Sequence, residues 1–241
     1  VSSQLTLTGN ANFTADGALI IGESGSVVGG GNITADQAGK GSVVLNRLVN
    51  EGDIGEIGKT NAIKSLTINA VGDSTFGKAI SAQTITLGAT GANLIAKAGI
   101  NAGAAVNFAS DATLTISGDS YLPVITTETS GTGSVIFENA VEGLSGGAGV
   151  GNIGTKENPL KEITFEADYH DDKIVNLSGD IYANNINLDR VGTIVKVDIR
   201  KSVTANIVFK DTNTAEGHTV SLHNGILKGN ISSVKASSGD V

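Results

Sequence analysis

The feature that most constrains this chain is a two-residue alternation broken into very short runs. Leu5-Thr-Leu7, Leu66-Thr-Ile68, Ile85-Thr-Leu87, Leu114-Thr-Ile116, Ile186-Asn-Leu188 and Val220-Ser-Leu222 each set a Thr, Ser or Asn between two apolar residues. Successive side chains of an extended strand point to opposite faces, so each run turns one face to a core and the other to water. Unbroken triplets occur as well, among them Leu19-Ile20-Ile21, Val43-Val44-Leu45, Val135-Ile136-Phe137 and Ile207-Val208-Phe209. Gly, Asn or Asp follows almost every run within a few residues, which predicts short strands closed by turns. The stretch from Ala92 to Ala105 competes as a helix, but Gly99, Gly103 and the lack of a 3.6-residue period predict strands and turns there too.

Short, evenly punctuated strands are compatible with a sandwich, a propeller or a solenoid, and internal repetition discriminates between them. Gly39-Lys-Gly41-Ser-Val-Val-Leu45, Ile57-Gly58, Leu66-Thr-Ile68 and the block Phe76 to Leu87 recur in order. Their counterparts are Gly131-Thr-Gly133-Ser-Val-Ile-Phe137, Ile153-Gly154, Ile163-Thr-Phe165 and the block Leu177 to Leu188. The last blocks align without a gap, Ile80 with Ile181, Ala82 with Ala183, Ile85 with Ile186 and Leu87 with Leu188. The repeat covers about 19–88 and 114–188, and its spacers vary in length. A solenoid tolerates such variation because each coil touches only its neighbours, so extra residues bulge into turns. The expectation is one all-β unit over 1–241, a right-handed parallel β-helix or β-solenoid, with a β-sandwich as second choice.

Composition agrees. Of 241 residues 33 are Gly and 39% are hydrophobic, with no Cys, Met or Trp and only 4% aromatic. A core of Val, Ile, Leu and Ala suits narrow layers of strands, and the Gly excess reads as turns rather than disorder. The net charge of −8 argues against a phosphate-binding surface and hence against nucleic acid as a partner. The 13 lysines stand singly at turns, where they solubilise the chain and guard sheet edges. Absence of cysteine excludes disulfides and fits export in an unfolded state. No stretch is apolar for ~18 residues, so none is expected to span a membrane as a helix. With neither an initiator Met nor a signal peptide, the segment is expected to belong to a longer chain.

The paired Gly-x-Gly-Ser-Val motifs, the segment Asn152-Ile-Gly-Thr-Lys-Glu-Asn-Pro-Leu-Lys-Glu-Ile163, and the blocks Ile80 to Leu87 and Leu177 to Leu188 resemble one family. It is the passenger regions of the rickettsial surface cell antigens, the autotransporter outer-membrane proteins A and B, with B somewhat closer. The resemblance covers most of 39–210 and weakens towards both ends. It implies export through the periplasm and a C-terminal outer-membrane β-barrel, then display on the bacterial surface. It further implies adhesion to and invasion of host cells through a host cell-surface protein, with no catalytic residues. A stalk or coat segment that only spaces a distal tip is the alternative, and a carbohydrate-active β-helix enzyme the third reading.

No residue pattern demands a cofactor, a metal or a small-molecule substrate. Asp168-Tyr-His170-Asp171-Asp172 is the densest polar cluster, and adjacent strand residues would diverge, so a solvated turn explains it better than a cation site. Gly29-Gly-Gly-Asn32 and Gly146 to Asn152 lack the carboxylate of a calcium β-roll, and Gly146 to Gly151 lacks the Lys-Ser/Thr of a phosphate loop. Asp189-Arg190 with Asp198 and Arg200 could align on neighbouring coils, where ion pairing explains it equally well. His170, His218 and His223 have no nucleophile motif and are expected to be exposed. Asn12, Asn32, Asn176 and Asn230 head glycosylation-type triplets but read as turn residues. The longest departure from the repeat, Leu144 to Gly151 with Thr155 to Pro159, is the candidate protein-binding loop. Its named residues are Leu144, Val150, Asn152, Thr155, Lys156 and Glu157.

Overall fold

The computed structural model describes residues 4–24, 26–118, 120–138, 150–166, 175–189, 196–211, 219–222 and 225–235. Among them every regular element is a strand and every pairing is parallel. The chain winds as a parallel β-solenoid, as its sequence predicts.

Each turn contributes to three stacks of strands. The first holds Ala18–Ile21, Lys40–Leu45 and Ile63–Ile68, then the second halves of Ile80–Leu87 and Ile100–Phe108. The second holds Gly72–Phe76, Ala92–Ala96, Thr113–Ile116, Thr132–Phe137 and Leu160–Phe165, then the later parts of Ile181–Asp189 and Val203–Asp211, and ends on Ile231–Lys235. The third runs through Ala11–Phe13 and Ile33–Ala35, joins Ile57, Ile80 and Ile100, and later includes Val175–Leu177, Lys196–Ile199 and Thr219–Leu222. Long strands bend from one stack into the next, which links most of the ladders into a 19-stranded sheet.

Stacking in register makes the core a set of ladders. On the first stack Leu19, Val43, Leu66, Ile85, Val106, Ile125, Ile153, Ile181, Val203 and Leu227 follow one another rung by rung. The step between rungs ranges from 19 residues (Val106 to Ile125) to 28 (Ile125 to Ile153), and the surplus leaves through the turns. On the second stack Leu94, Leu114, Val135, Ile163, Ile186, Ile207 and Ile231 do the same. Beside them Phe137 and Phe165 stack with ring centres 5.2 Å apart and planes 9° from parallel. The middle residues of the apolar triplets face outward: Ile20 is exposed, and Val44, Ile136 and Val208 are half-buried.

The internal repeat has a structural basis. Ile80–Leu87 and Ile181–Asp189 share one burial rhythm, in which Gln83 and Asn184 are exposed where each strand turns a corner. Both Gly-x-Gly motifs pass over an aromatic ring: a Cβ on Gly41 would lie 2.1 Å from the Phe13 ring, and one on Gly133 would lie 2.6 Å from Phe108. The four glycines of the two motifs also have φ between 74° and 79°, which side-chain-bearing residues rarely adopt. The two copies are not superposed by sliding along the axis. Lys40–Leu45 lies on the first stack, whereas its counterpart Thr132–Phe137 lies on the second.

Candidate functional site

The candidate loop grows out of the rung that ends at Ile153. Gly154, at φ +67°, donates its N–H to Ile125 O at 2.7 Å, and a Cβ there would lie 2.2 Å from Tyr182 O. Thr155 then closes a tight turn, its N–H donating to Asn158 O (3.0 Å) and its Oγ1 accepting from Asn158 N (2.9 Å). Asn158 Nδ2 reaches Glu128 O at 3.2 Å, and Pro159 O accepts from Gly131 N at 2.8 Å. Lys156 and Glu157 therefore stand exposed on a turn whose backbone is tied at both ends.

The other candidate residues have different places. Val150 is 1% exposed, packed between Leu122 and Leu177 on neighbouring rungs, so it belongs to the core and not to a contact surface. Asn152 is exposed but its Oδ1 accepts the Asp180 N–H at 2.9 Å, a backbone-capping role. Leu144 lies outside the described residues, as do Gly146 to Gly149, Asp168 to Asp172, Arg190, His170, His218 and His223.

The Asp189 and Asp198 pairs do not converge. Asp189 sits opposite Lys210 on the second stack, with Lys210 Nζ at 2.6 Å, whereas Asp198 lies on the third stack and binds Arg200 Nε at 3.4 Å. Among the described residues no three His, Cys, Asp or Glu side chains come together as a metal cluster. Asn32 in the Gly29–Gly31 turn is engaged on both sides, donating to Asn10 Oδ1 (3.0 Å) and accepting from Glu56 N (2.8 Å). The side chain of Asn12 donates to Asp36. Asn32 thus serves a turn, as its setting in the sequence predicts, whereas Asn12 lies mid-strand opposite Thr34 and Asn176 lies mid-strand in Val175–Leu177, so the turn expectation fails for these two.

Around the core, outward side chains form polar ladders. Ser65 donates to Ser42 (2.9 Å), Asn69 to Asn46 (3.0 Å), Asn93 to Asp73 (2.9 Å) and Thr126 to Asn107 (3.1 Å). Lys64–Asp16 (2.8 Å), Lys97–Glu51 (2.5 Å) and Lys161–Asp111 (3.0 Å) reach across coils. The Lys64 hydrogen bond holds the Asp16 carboxyl below its ordinary value, and the bond to Asp111 raises the Lys161 ammonium above its own.

Open grooves interrupt this surface, two of them lined by Ser81 and by Tyr182 respectively. One, of about 380 Å³, starts at Glu56 to Thr60, and the other, of about 400 Å³, starts at Lys156 and Pro159. Lys156, a candidate loop residue in the sequence, lies on the rim of the second, whereas no sequence signal marked the first, although Ile57-Gly58-Lys59 is the repeat counterpart of Ile153-Gly154-Thr155. Comparison with family models, with curated proteins and with solved structures finds no match for the chain.

Proposed function

We propose that this chain is a segment of a surface-displayed autotransporter passenger, of the kind found in rickettsial surface cell antigens, and that it serves adhesion to and entry into host cells. It acts by binding, without catalysis. The observation that carries this reading is how the fold divides its residues. Apolar side chains are taken up by continuous core ladders, and the outward positions carry Ser, Thr and Asn that bond to one another along the axis. Side chains held this way lose little further entropy on contact, so a long polar face can engage a host surface protein by shape and hydrogen bonding. The tied turn at Thr155 places Lys156 at the second groove's rim and leaves Glu157 exposed to solvent. The resemblance in residues 39–210 supplies the setting: passage through the periplasm, a C-terminal barrel in the parent chain and display outside the outer membrane.

The test is saturable binding of the purified 241-residue chain to cultured endothelial cells, competed by whole bacteria. Binding that blocks bacterial attachment supports the adhesive reading. A chain that is folded by circular dichroism and does not bind would leave the segment as a spacer, a role for which an uninterrupted solenoid is equally suited.

A further inference from the structure

We propose that the solenoid carries two copies of one groove, each built to hold a linear, uncharged oligosaccharide along the coil axis. This goes beyond the adhesive reading and does not depend on it.

The two grooves are lined at matched rung positions, the first of which falls within the internal repeat and the others beyond it. Ser81 in the first corresponds to Tyr182 in the second, Asn101 to Thr204, and Tyr121 to Lys228. The rungs establish the match: Ile57, Ile80 and Ile100 stack as Ile153, Ile181 and Val203 do, and the groove residues follow one position later. In both copies the glycine after the first rung packs against the carbonyl of the second, Gly58 on Ser81 and Gly154 on Tyr182, with φ of +72° and +67°. Their N–H groups donate one turn back, to Ile33 O (2.6 Å) and Ile125 O (2.7 Å). The same backbone device therefore recurs in both copies, Gly58 lining the first groove and Gly154 abutting Tyr182, which lines the second, although the spacers differ in length and the copies lie on different stacks.

The lining selects the ligand class. The chain has three Tyr and no Trp, and both tyrosines among the described residues line these grooves. Their rung positions differ, Tyr121 on the last and Tyr182 on the second, so each groove has acquired its own aromatic. A tyrosine supplies an apolar face and a hydroxyl, the combination that meets a sugar ring. Neutral polar side chains line both grooves, Thr60, Ser81 and Asn101 in one and Asn184, Ser202 and Thr204 in the other. The charges of the first groove cancel, since Lys59 pairs with Glu56 at 3.2 Å. In the second, Asp180 stands with Lys156 and Lys228, a balance too small to demand an anion. Each groove crosses successive rungs at ~4.8 Å per step, close to the repeat of a pyranose chain, so every sugar would meet an equivalent rung.

The chain's three tyrosines make ring resonances a direct readout. Cellohexaose and chitohexaose, titrated at millimolar concentration into the whole chain, are expected to shift the Tyr121 and Tyr182 ring signals saturably. Tyr121→Ala should remove binding at the first groove alone. Tyr182→Ser, which installs the residue the first copy carries at that position and so suits the local backbone, should remove it at the second alone. The double variant should lose saturation transfer to both sugars while keeping its circular dichroism spectrum. Unmoved rings with both sugars, saturation transfer undiminished in the double variant, or a response confined to a heparin hexasaccharide would each overturn the proposal. None of these results depends on cell binding, so the adhesive reading stands or falls separately.

Discussion

Replacing Ile186 by alanine removes three carbons from a side chain that is 1% exposed on the second core ladder, between Ile163 and Ile207. At ~0.8 kcal/mol per buried methylene the transfer loss alone is ~2.4 kcal/mol. The cavity left in a rigid stack brings the total to roughly 2–5 kcal/mol. The last described residue of the same ladder offers an internal control, because Ile231 pairs with Ile207 but is 63% exposed. Only about a third of its transfer term is realised and no closed cavity forms, so Ile231→Ala should cost under ~1 kcal/mol. The two variants share chemistry and ladder and differ only in position. Urea unfolding measures the difference globally. Amide exchange at Ile163 and Ile207 measures it locally, which suits a fold in which each coil interacts only with its neighbours. Equal losses, or a larger loss at Ile231, would refute the claim that burial within the ladder sets the stability.

Ser74 is fully buried beside Leu94 and its hydroxyl has no hydrogen-bond partner among the described residues, so Ser74→Ala should stabilise the chain by ~1 kcal/mol, seen as a higher urea midpoint. Gly154→Ala forces a Cβ to within 2.2 Å of Tyr182 O at φ +67°, and a loss of more than ~2 kcal/mol is expected by thermal unfolding, whereas Gly52→Ala, with open space around it, should cost only its φ penalty of ~1 kcal/mol. Asp16 should titrate by NMR below 3.8, and Lys64→Met should return it towards that value. Because its folded pKa is lowered, the stability it contributes is present above 3.8 and fades as pH falls through the lower folded value. Lys161 has the opposite sign: its contribution is present below 10.5 and is lost as pH rises through its raised pKa, and salt should weaken it because both partners are exposed.

The apolar-polar-apolar runs and their Gly, Asn and Asp punctuation made the all-β solenoid legible in advance. So did the repeat, in which Ile80 and Ile181 open strands of one burial rhythm and Gly41 and Gly133 each lie against an aromatic ring, although the copies occupy different stacks. The candidate surface was less legible. Val150 and Lys156 stood in one segment of text, yet one is a core rung and the other a solvent-facing turn residue. Local spacing could not separate them, because the variable spacer hides where the next rung begins. The tyrosine positions carry no local signal, since Tyr121 and Tyr182 are far apart in sequence and do not align in the repeat.

The sequence by itself determined the short strands, the inward and outward alternation and the glycine-bearing turns, because these depend on neighbours two or three residues away. Only the tertiary structure decided the register. Which rung lies on which follows from coil lengths of 19 to 28 residues, and these rotate the second repeat copy onto a different stack from the first. Register in turn brings Tyr121 beneath Asn101, places Thr204 beside Tyr182, and sends Asp189 and Asp198 to separate faces. The physical reason is that stacking energy belongs to residues about one coil apart, a distance over which the local pattern carries no phase.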